Sequence, residues 1–206
     1  MRYKYVLRGK NMRTAQFNRS TNETQITLSI NLDGTGITDV STGVGFLDHM
    51  LCAFAQHGLF DLSVRCVGDL HVDAHHTVED CGICLGSAVA QALGDKRSIT
   101  RVGQQFLPMD EALLLCALDI SGRPYLSFNV PTQTGAMGAY DACLTQEFMR
   151  AFANAAGITL HVRMLQGENA HHIAEAAYKA LGRALSQAVA VNPRVQGIPS
   201  TKGTLG

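Results

Sequence analysis

The amino-acid sequence predicts an α+β protein made of two repeated half-domains, in which helices pack against antiparallel or mixed sheets. The motif His-His-x-x-Glu occurs at residues 75–79 and again at 171–175, 96 residues apart. Each copy follows the same order: a helix-like stretch, a turn at Gly58 or Gly157, an alternating strand, and then a long Ala/Leu-rich helix that carries the motif. A repeat of this kind predicts two copies of one supersecondary unit that share a core.

The elements of each half follow from periodicity and turn residues. Ile26, Leu28 and Ile30 alternate with polar residues, as in a half-buried strand, whereas Gly94 and the Asn192-Pro193 pair are typical ends of helices. We treat 1–206 as a single domain with a first half at 13–97, a second half at 98–193 and an extended Gly-rich tail at 194–206. The predicted strands are 14–21, 23–32, 59–67, 98–107, 111–120, 123–130 and 158–166, and the predicted helices are 46–57, 74–93, 140–156 and 169–190.

Composition and charge restrict the class of partner. The chain has 206 residues, 46% of them hydrophobic, and a formal net charge of zero. This charge favours neither nucleic acid nor an anionic membrane as a partner. No apolar run reaches the roughly 18 residues that span a bilayer, and the first residues do not resemble a signal peptide, so we expect a cytoplasmic protein. Cys81 and Cys84 form a single C-x-x-C without a second pair, which predicts reduced, buried thiols rather than a zinc site.

The spacing inside the motif predicts metal binding. On a helix, residues i and i+4 share a face, so His75 and Glu79 can bind one ion, whereas His76 is turned away by about 100°. The second copy repeats this arrangement, with His171 and Glu175 on one face and His172 on another. The simplest closed solution is two metal ions, each bound by one His/Glu pair and by the remaining histidine of the other copy.

The helix before each motif offers a fourth ligand to each ion. His49 lies 26 residues before His75, and Glu147 lies 24 residues before His171. Imidazole and carboxylate ligands without thiolate suit zinc, iron or manganese, and open coordination positions favour catalysis over a structural role. The two predicted ligand sets are His49, His76, His171, Glu175 and His75, Glu79, Glu147, His172.

Several segments also resemble a known family. The segments RSTNETQI, FLDHML, DAHHTVEDCGI, MDEALL, EFMRAFA, NAHHI and PSTKG occur in the order and at the spacing of imidazoleglycerol-phosphate dehydratases, and the resemblance runs from Arg13 onward. It implies a duplicated fold like domain 2 of ribosomal protein S5, and conversion of imidazole glycerol phosphate to imidazole acetol phosphate in histidine biosynthesis. It also implies two Mn²⁺ ions per active site that bind the imidazole or imidazolate ring, and a homo-oligomer of twenty-four subunits with active sites at subunit contacts.

The resemblance further assigns roles to individual residues. Glu23 is the candidate base, and in relatives a histidine often stands at the position of Glu147. The residues implied in catalysis are Glu23, His49, His75, His76, Glu79, His171, His172 and Glu175. The residues implied in substrate binding are these same residues except His172, together with His57, Arg101, Arg123, Lys179, Ser200, Thr201, Lys202 and Gly203. The basic residues among them suit a phosphate.

Two other interpretations are consistent with the motif alone. One is a different dimetal enzyme that acts on a small phosphorylated substrate. The other is a non-catalytic protein whose metal ions only join subunits. Neither accounts for all of the ordered segments that resemble the dehydratases.

Overall fold

The computed structural model describes residues 13–131 and 135–205. The strands are β1 (Thr14–Ser20), β2 (Thr24–Asn31), β3 (Thr38–Ser41), β4 (Asp61–Gly68), β5 (Val102–Met109), β6 (Ala112–Asp119), β7 (Tyr125–Asn129), β8 (Ala136–Met137), β9 (Tyr140–Asp141) and β10 (Thr159–Gln166). The helices are α1 (Gly45–Gly58), α2 (His75–Leu93), α3 (Leu144–Ala156) and α4 (Ala170–Val189).

Two four-stranded sheets have the same topology. Their strand orders are β1-β2-β4-β3 and β5-β6-β10-β7. In each sheet the first three strands of this order pair antiparallel with one another. The short outer strand, β3 or β7, runs parallel to the strand beside it. The registers also match, because Asn31 pairs with Asp61 in the first sheet and Asp119 pairs with Thr159 in the second. The duplication predicted from the motif is therefore present in the backbone, and the α+β prediction is confirmed.

The four helices connect the two halves. Helix α2 lies on β1 and β2 and packs against α3 of the other half, while α4 lies on β5 and β6 and packs against α1. The side chains of the helix interiors are small or apolar, and the large ones among them, such as Phe54, Phe148 and Phe152, are fully buried. Among the described residues, no helix has the length and apolar character needed to cross a membrane.

Glycines allow the helices to approach closely. A Cβ at Gly86 of α2 would lie 2.5 Å from the carbonyl oxygen of Phe152, and a Cβ at Gly182 of α4 would overlap the carbonyl of Phe54 in the same way. Only a residue without a side chain permits such contacts between backbones. These contacts fix α1 against α4 and α3 against α2.

Two predicted elements begin several residues later than expected, and strands β3, β8 and β9 were not predicted. The strand predicted at 98–107 begins only at Val102, because Ser98 and Arg101 adopt left-handed backbone conformations that a strand excludes. The helix predicted at 140–156 begins at Leu144, because Tyr140–Asp141 pairs with Ala136–Met137 instead. Strand β3 was missed, since four residues rich in Thr, Asp and Ser give too short and too polar a pattern.

Candidate metal centre

Helices α1 and α4 bring three possible metal ligands together. Nε2 of His171 and Nε2 of His49 lie 3.1 and 3.3 Å from the same carboxylate oxygen, Oε2 of Glu175. The ligand atoms of these three residues all lie within 4.8 Å of one another. The pairing of His171 with Glu175 follows from the predicted i,i+4 spacing on α4, and His49, which was predicted for the same ligand set, reaches them from α1 through the close packing of the two helices.

The carboxylate of this cluster is held in its charged form. Glu175 is buried, with 7% of its side chain exposed, and its Oε1 accepts a bond of 2.6 Å from Nζ of Lys179. Burial opposes ionisation of Glu175, but Lys179 and His49 outweigh it and lower the pKa of the carboxyl group. One oxygen thus contacts the ammonium group, while the other faces the two imidazoles where a cation would bind.

The matching cluster of the first half is less closely assembled. Nε2 of His75 lies 3.9 Å from Oε2 of Glu79, and both side chains are nearly half exposed. Glu147 is on α3 at the position that corresponds to His49 on α1, but its carboxylate pairs with Arg150 at 2.7 Å. Within residues 13–131 and 135–205, His49, His171 and Glu175 form the one group of three possible ligands that comes together.

The second histidine of each motif contacts carboxylates instead. Nδ1 of His76 lies 2.9 Å from Asp69, and Nδ1 of His172 lies 2.7 Å from Glu111. These hydrogen bonds to carboxylates raise the pKa of both imidazoles. Conversely, backbone N–H donors, Asn169 first, and His172 lower the pKa of Glu111 to about 2.

Sequence reasoning assigned no role to Asp69 or Glu111. The only available signal was that Glu111 stands in the segment MDEALL, one of the segments that carry the family resemblance. Nothing in the local spacing of Asp69 connects it with His76, seven residues further along the chain. Glu23, which was predicted as the base, does lie near this pair, with Oε1 3.6 Å from Nε2 of His76.

Arg101 contacts the C-terminal tail, which carries further predicted site residues. The guanidinium of Arg101 donates to both oxygens of Asp119, at 2.7 and 3.0 Å, and to the carbonyl of Pro199 at 2.8 Å. Asp119 raises the pKa of Arg101 further. The contact with Pro199 brings the tail to Arg101, with Ser200, Thr201 and Lys202 next along the chain, and Arg123 lies in the bend between β6 and β7, four residues after Asp119. We call Arg101, Arg123, Ser200, Thr201 and Lys202 the basic cluster.

The basic cluster and the metal ligands lie at opposite ends of α4. The backbone N–H of Arg101 bonds to the carbonyl of Ala188, in the last turn of the helix, whereas His171 and Glu175 occupy its first turns. At 1.5 Å per residue, Glu175 and Ala188 are separated by about 20 Å. Lys179, by contrast, contacts the proposed metal ligand Glu175, and His57 lies near Lys179 and Arg183, where burial, followed by these two cations, lowers its pKa.

The fold and the site together define a duplicated α+β protein with a candidate metal centre on its helices. The described donor set of two imidazoles and one ionised carboxylate suits a divalent transition metal. A family model described as imidazoleglycerol-phosphate dehydratase matches residues 42–185. The chain belongs to the imidazoleglycerol-phosphate dehydratase family, which confirms the resemblance found in the sequence.

Curated proteins and solved structures agree with this assignment. The imidazoleglycerol-phosphate dehydratase of Methylorubrum extorquens is 59% identical over 94% of this chain and 100% of its own length. The protein of the same name from Acetivibrio thermocellus is 58% identical over 94% and 99%. The crystal structure of the Staphylococcus aureus enzyme has a TM-score of 0.79 and 38% identity, and covers 87% of this chain and 99% of that chain. These relatives are all named as dehydratases, which are hydro-lyases.

Proposed function

We propose that this chain removes water from imidazole glycerol phosphate to give imidazole acetol phosphate, a step of histidine biosynthesis. The observation that carries the proposal is the cluster of His49, His171 and Glu175, within 4.8 Å, in a chain of the dehydratase family. A site of this composition can bind a divalent cation, and the imidazole ring of the substrate can serve as a further ligand of that cation.

The donor sets suit two manganese ions per active site. The proposed ligands are His49, His76, His171, Glu175 for one ion and His75, Glu79, Glu147, His172 for the other. When bound, the ions would act as Lewis acids that stabilise negative charge on the substrate's imidazole ring, which favours loss of the neighbouring hydroxyl. The ion pair of Glu147 with Arg150 would have to open for the second set to assemble.

Glu23 is the proposed base. Its carboxylate is half exposed, and its Oε1 lies on the Nε2 side of His76, where the ligand atom of that imidazole is directed. A carboxylate placed there can take the proton from the carbon next to the departing hydroxyl. The basic cluster supplies guanidinium and ammonium donors for the phosphate group.

The length of α4 supports an active site shared between subunits. Because about 20 Å separates the metal ligands from the basic cluster in one chain, the two cannot hold adjacent parts of one small substrate. We therefore propose a homo-oligomer, of twenty-four subunits as the family resemblance implies, in which one subunit supplies metal ligands and another supplies the basic cluster. The tail, 194–206, would close over the substrate.

An activity assay with and without metal tests the proposed reaction. Formation of imidazole acetol phosphate should stop when the protein is treated with a chelator and should return when manganese is added. Undiminished activity in a metal-free sample would contradict the role of the metal, and no activity under any metal would contradict the reaction itself.

Subunit mixing tests the shared site. His171→Ala should abolish the metal centre and Arg101→Ala should weaken phosphate binding, yet oligomers that contain both variants should form some complete sites and regain activity. Mixing His171→Ala with Glu175→Ala is the matched control, because both changes damage the same ligand set and no complete site can form. Mixed oligomers without regained activity would contradict the shared-site proposal.

A further inference from the structure

The second histidines of the two motifs, His76 and His172, are held in the same way by carboxylates that occupy different positions in the repeat. Asp69 directly follows β4, whereas Glu111 directly precedes β6. Each carboxylate lies within hydrogen-bond distance of the same ring atom, Nδ1, at 2.9 Å for His76 and 2.7 Å for His172. A shared contact made from different places in the fold indicates a shared requirement, and not merely a leftover of duplication.

The correspondence between the halves can be read from the sheet registers. Glu111 stands immediately before β6, and the matching position before β2 is Glu23. Asp69 stands immediately after β4, and the matching position after β10 is Gly167. In the second half a glycine therefore replaces the carboxylate, and the ring of His172 is held by Glu111 instead.

This exchange leaves Glu23 and Glu111 in different situations. Glu111 accepts hydrogen bonds from the backbone N–H groups of Glu168 and Asn169 as well as from His172. The carboxylate of Glu23 lies on the other side of its imidazole, 3.6 Å from Nε2 of His76. The backbone carbonyl of Glu23 accepts the N–H of Asp69, which fixes the two residues next to each other.

We propose that Asp69 and Glu111 are positioning residues that orient His76 and His172 with Nε2 toward the metal, and that Asp69 thereby leaves Glu23 free to act on the substrate. A carboxylate on Nδ1 keeps the proton on that atom and makes Nε2 the ligand atom, with the ring orientation fixed. This inference rests on the proposed function for the role of Glu23, but the orientation of the two rings does not depend on it.

Manganese titration followed by electron paramagnetic resonance tests the positioning roles. Asp69→Asn and Glu111→Gln should each lower the affinity for one of the two ions per subunit by roughly 10- to 100-fold and leave the affinity for the other unchanged. Asp73→Asn is the matched control: Asp73 caps the N–H of His75 without touching either ring, so its amide variant should bind both ions normally. The metal-free variants should unfold at the same temperature as the metal-free control. An unspecific loss of structure would lower that temperature. Normal affinity for both ions in both variants would overturn the proposal.

Nitrogen-15 spectra of the histidines in the metal-free protein give a readout that needs neither metal nor activity. At a pH where the rings are neutral, His76 and His172 should carry their proton on Nδ1, and Asp69→Ala should return His76 to the Nε2–H form. A proton on Nε2 of both rings in the unaltered protein would overturn the proposal.

If the rings and affinities behave as expected but no dehydration occurs, the proposed function fails while the positioning roles stand. With activity present, Glu23→Gln should lower kcat and leave manganese affinity unchanged, and a loss of affinity would instead make Glu23 a ligand.

Discussion

Gly182 of α4 packs directly against the backbone carbonyl of Phe54 in α1. A Cβ at this position would also meet the backbone of Gly58, at 3.3 Å. The contact holds the two helices at the separation at which His49, five residues before Phe54 on α1, reaches Glu175. A residue without any functional group thus contributes to the geometry of the metal centre.

Gly182→Ala should therefore weaken both stability and metal binding. Forcing a Cβ into a backbone contact costs about 1–3 kcal/mol, and a shift of α1 would move His49 away from Glu175. Urea unfolding and manganese titration measure the two effects. Gly45→Ala, at the start of α1 with open space around its Cβ, is the control and should change neither. Metal affinity unchanged in a destabilised Gly182→Ala protein would contradict the link between packing and site.

Glu175→Gln should remove one of about two divalent ions bound per subunit. The amide keeps the shape of the side chain but loses the charge that balances Lys179 and attracts the cation. Metal content measured by mass spectrometry of the purified protein decides this. Glu168→Gln, an exposed change just before α4, should leave the content unchanged. A full complement of metal in Glu175→Gln would exclude this carboxylate as a ligand.

Arg101→Ala should weaken substrate binding by about 1.5–3 kcal/mol, the size of a lost charge-assisted hydrogen bond, without changing metal content. The guanidinium is oriented by Asp119 and by the carbonyl of Pro199, so it lies ready beside the tail. Substrate KM and direct binding measurements test this. Arg65→Ala is the control, because Arg65 pairs with Asp39 on the other half of the fold. Loss of metal in Arg101→Ala would place this residue with the metal ligands instead.

Removal of the chain after Gly197 should abolish turnover and leave metal content and assembly unchanged. The truncation deletes Pro199, which contacts Arg101, and Leu205, whose carbonyl accepts from Lys96 at 3.2 Å. It retains the carbonyl of Gly197, which bonds to Ser98 at 2.7 Å. Light scattering, metal analysis and the dehydration assay would be compared on the same sample. Full turnover without the tail would show that it does not close the site.

Asp61 should make stability depend on pH in the acid range. Its carboxylate accepts the backbone N–H of Thr35 at 2.8 Å and of Ile37 at 3.1 Å, and these bonds lower its pKa below the usual 3.8. A lowered folded-state pKa stabilises the fold above pH 3.8, and that stabilisation is lost as pH falls through the folded-state pKa. Asp61→Ala should cost about 1 kcal/mol at neutral pH, a modest value because the group is largely solvated.

The difference in unfolding free energy between the unaltered protein and Asp61→Ala should shrink as pH falls below 3.8. Asp95→Asn, an exposed carboxylate beside Arg97, provides the comparison for a general effect of removing one negative charge. A difference that stayed constant down to low pH would show that the hydrogen bonds of Asp61 do not favour its ionised form.

The sequence by itself determined the features that depend on local backbone geometry. The i,i+4 spacing placed His171 with Glu175, and the alternation of Ile26, Leu28 and Ile30 located a strand whose inner face is buried. The recurrence of His-His-x-x-Glu revealed the duplication, because both copies start helices of the same kind. These inferences need only the periods of helix and strand, which are fixed by the backbone.

Only the tertiary structure decided which distant residues meet. The sequence grouped His49 with Glu175 in one predicted ligand set, but these residues are 126 apart, and the contact between them forms because glycines let α1 and α4 touch. The tertiary structure alone also brings together Glu111 and His172, which are 61 residues apart, and places Arg101 at the far end of α4 from the metal ligands. Contacts across elements depend on how side-chain volumes fill the space between helices and sheets, and this is a property of the packed whole.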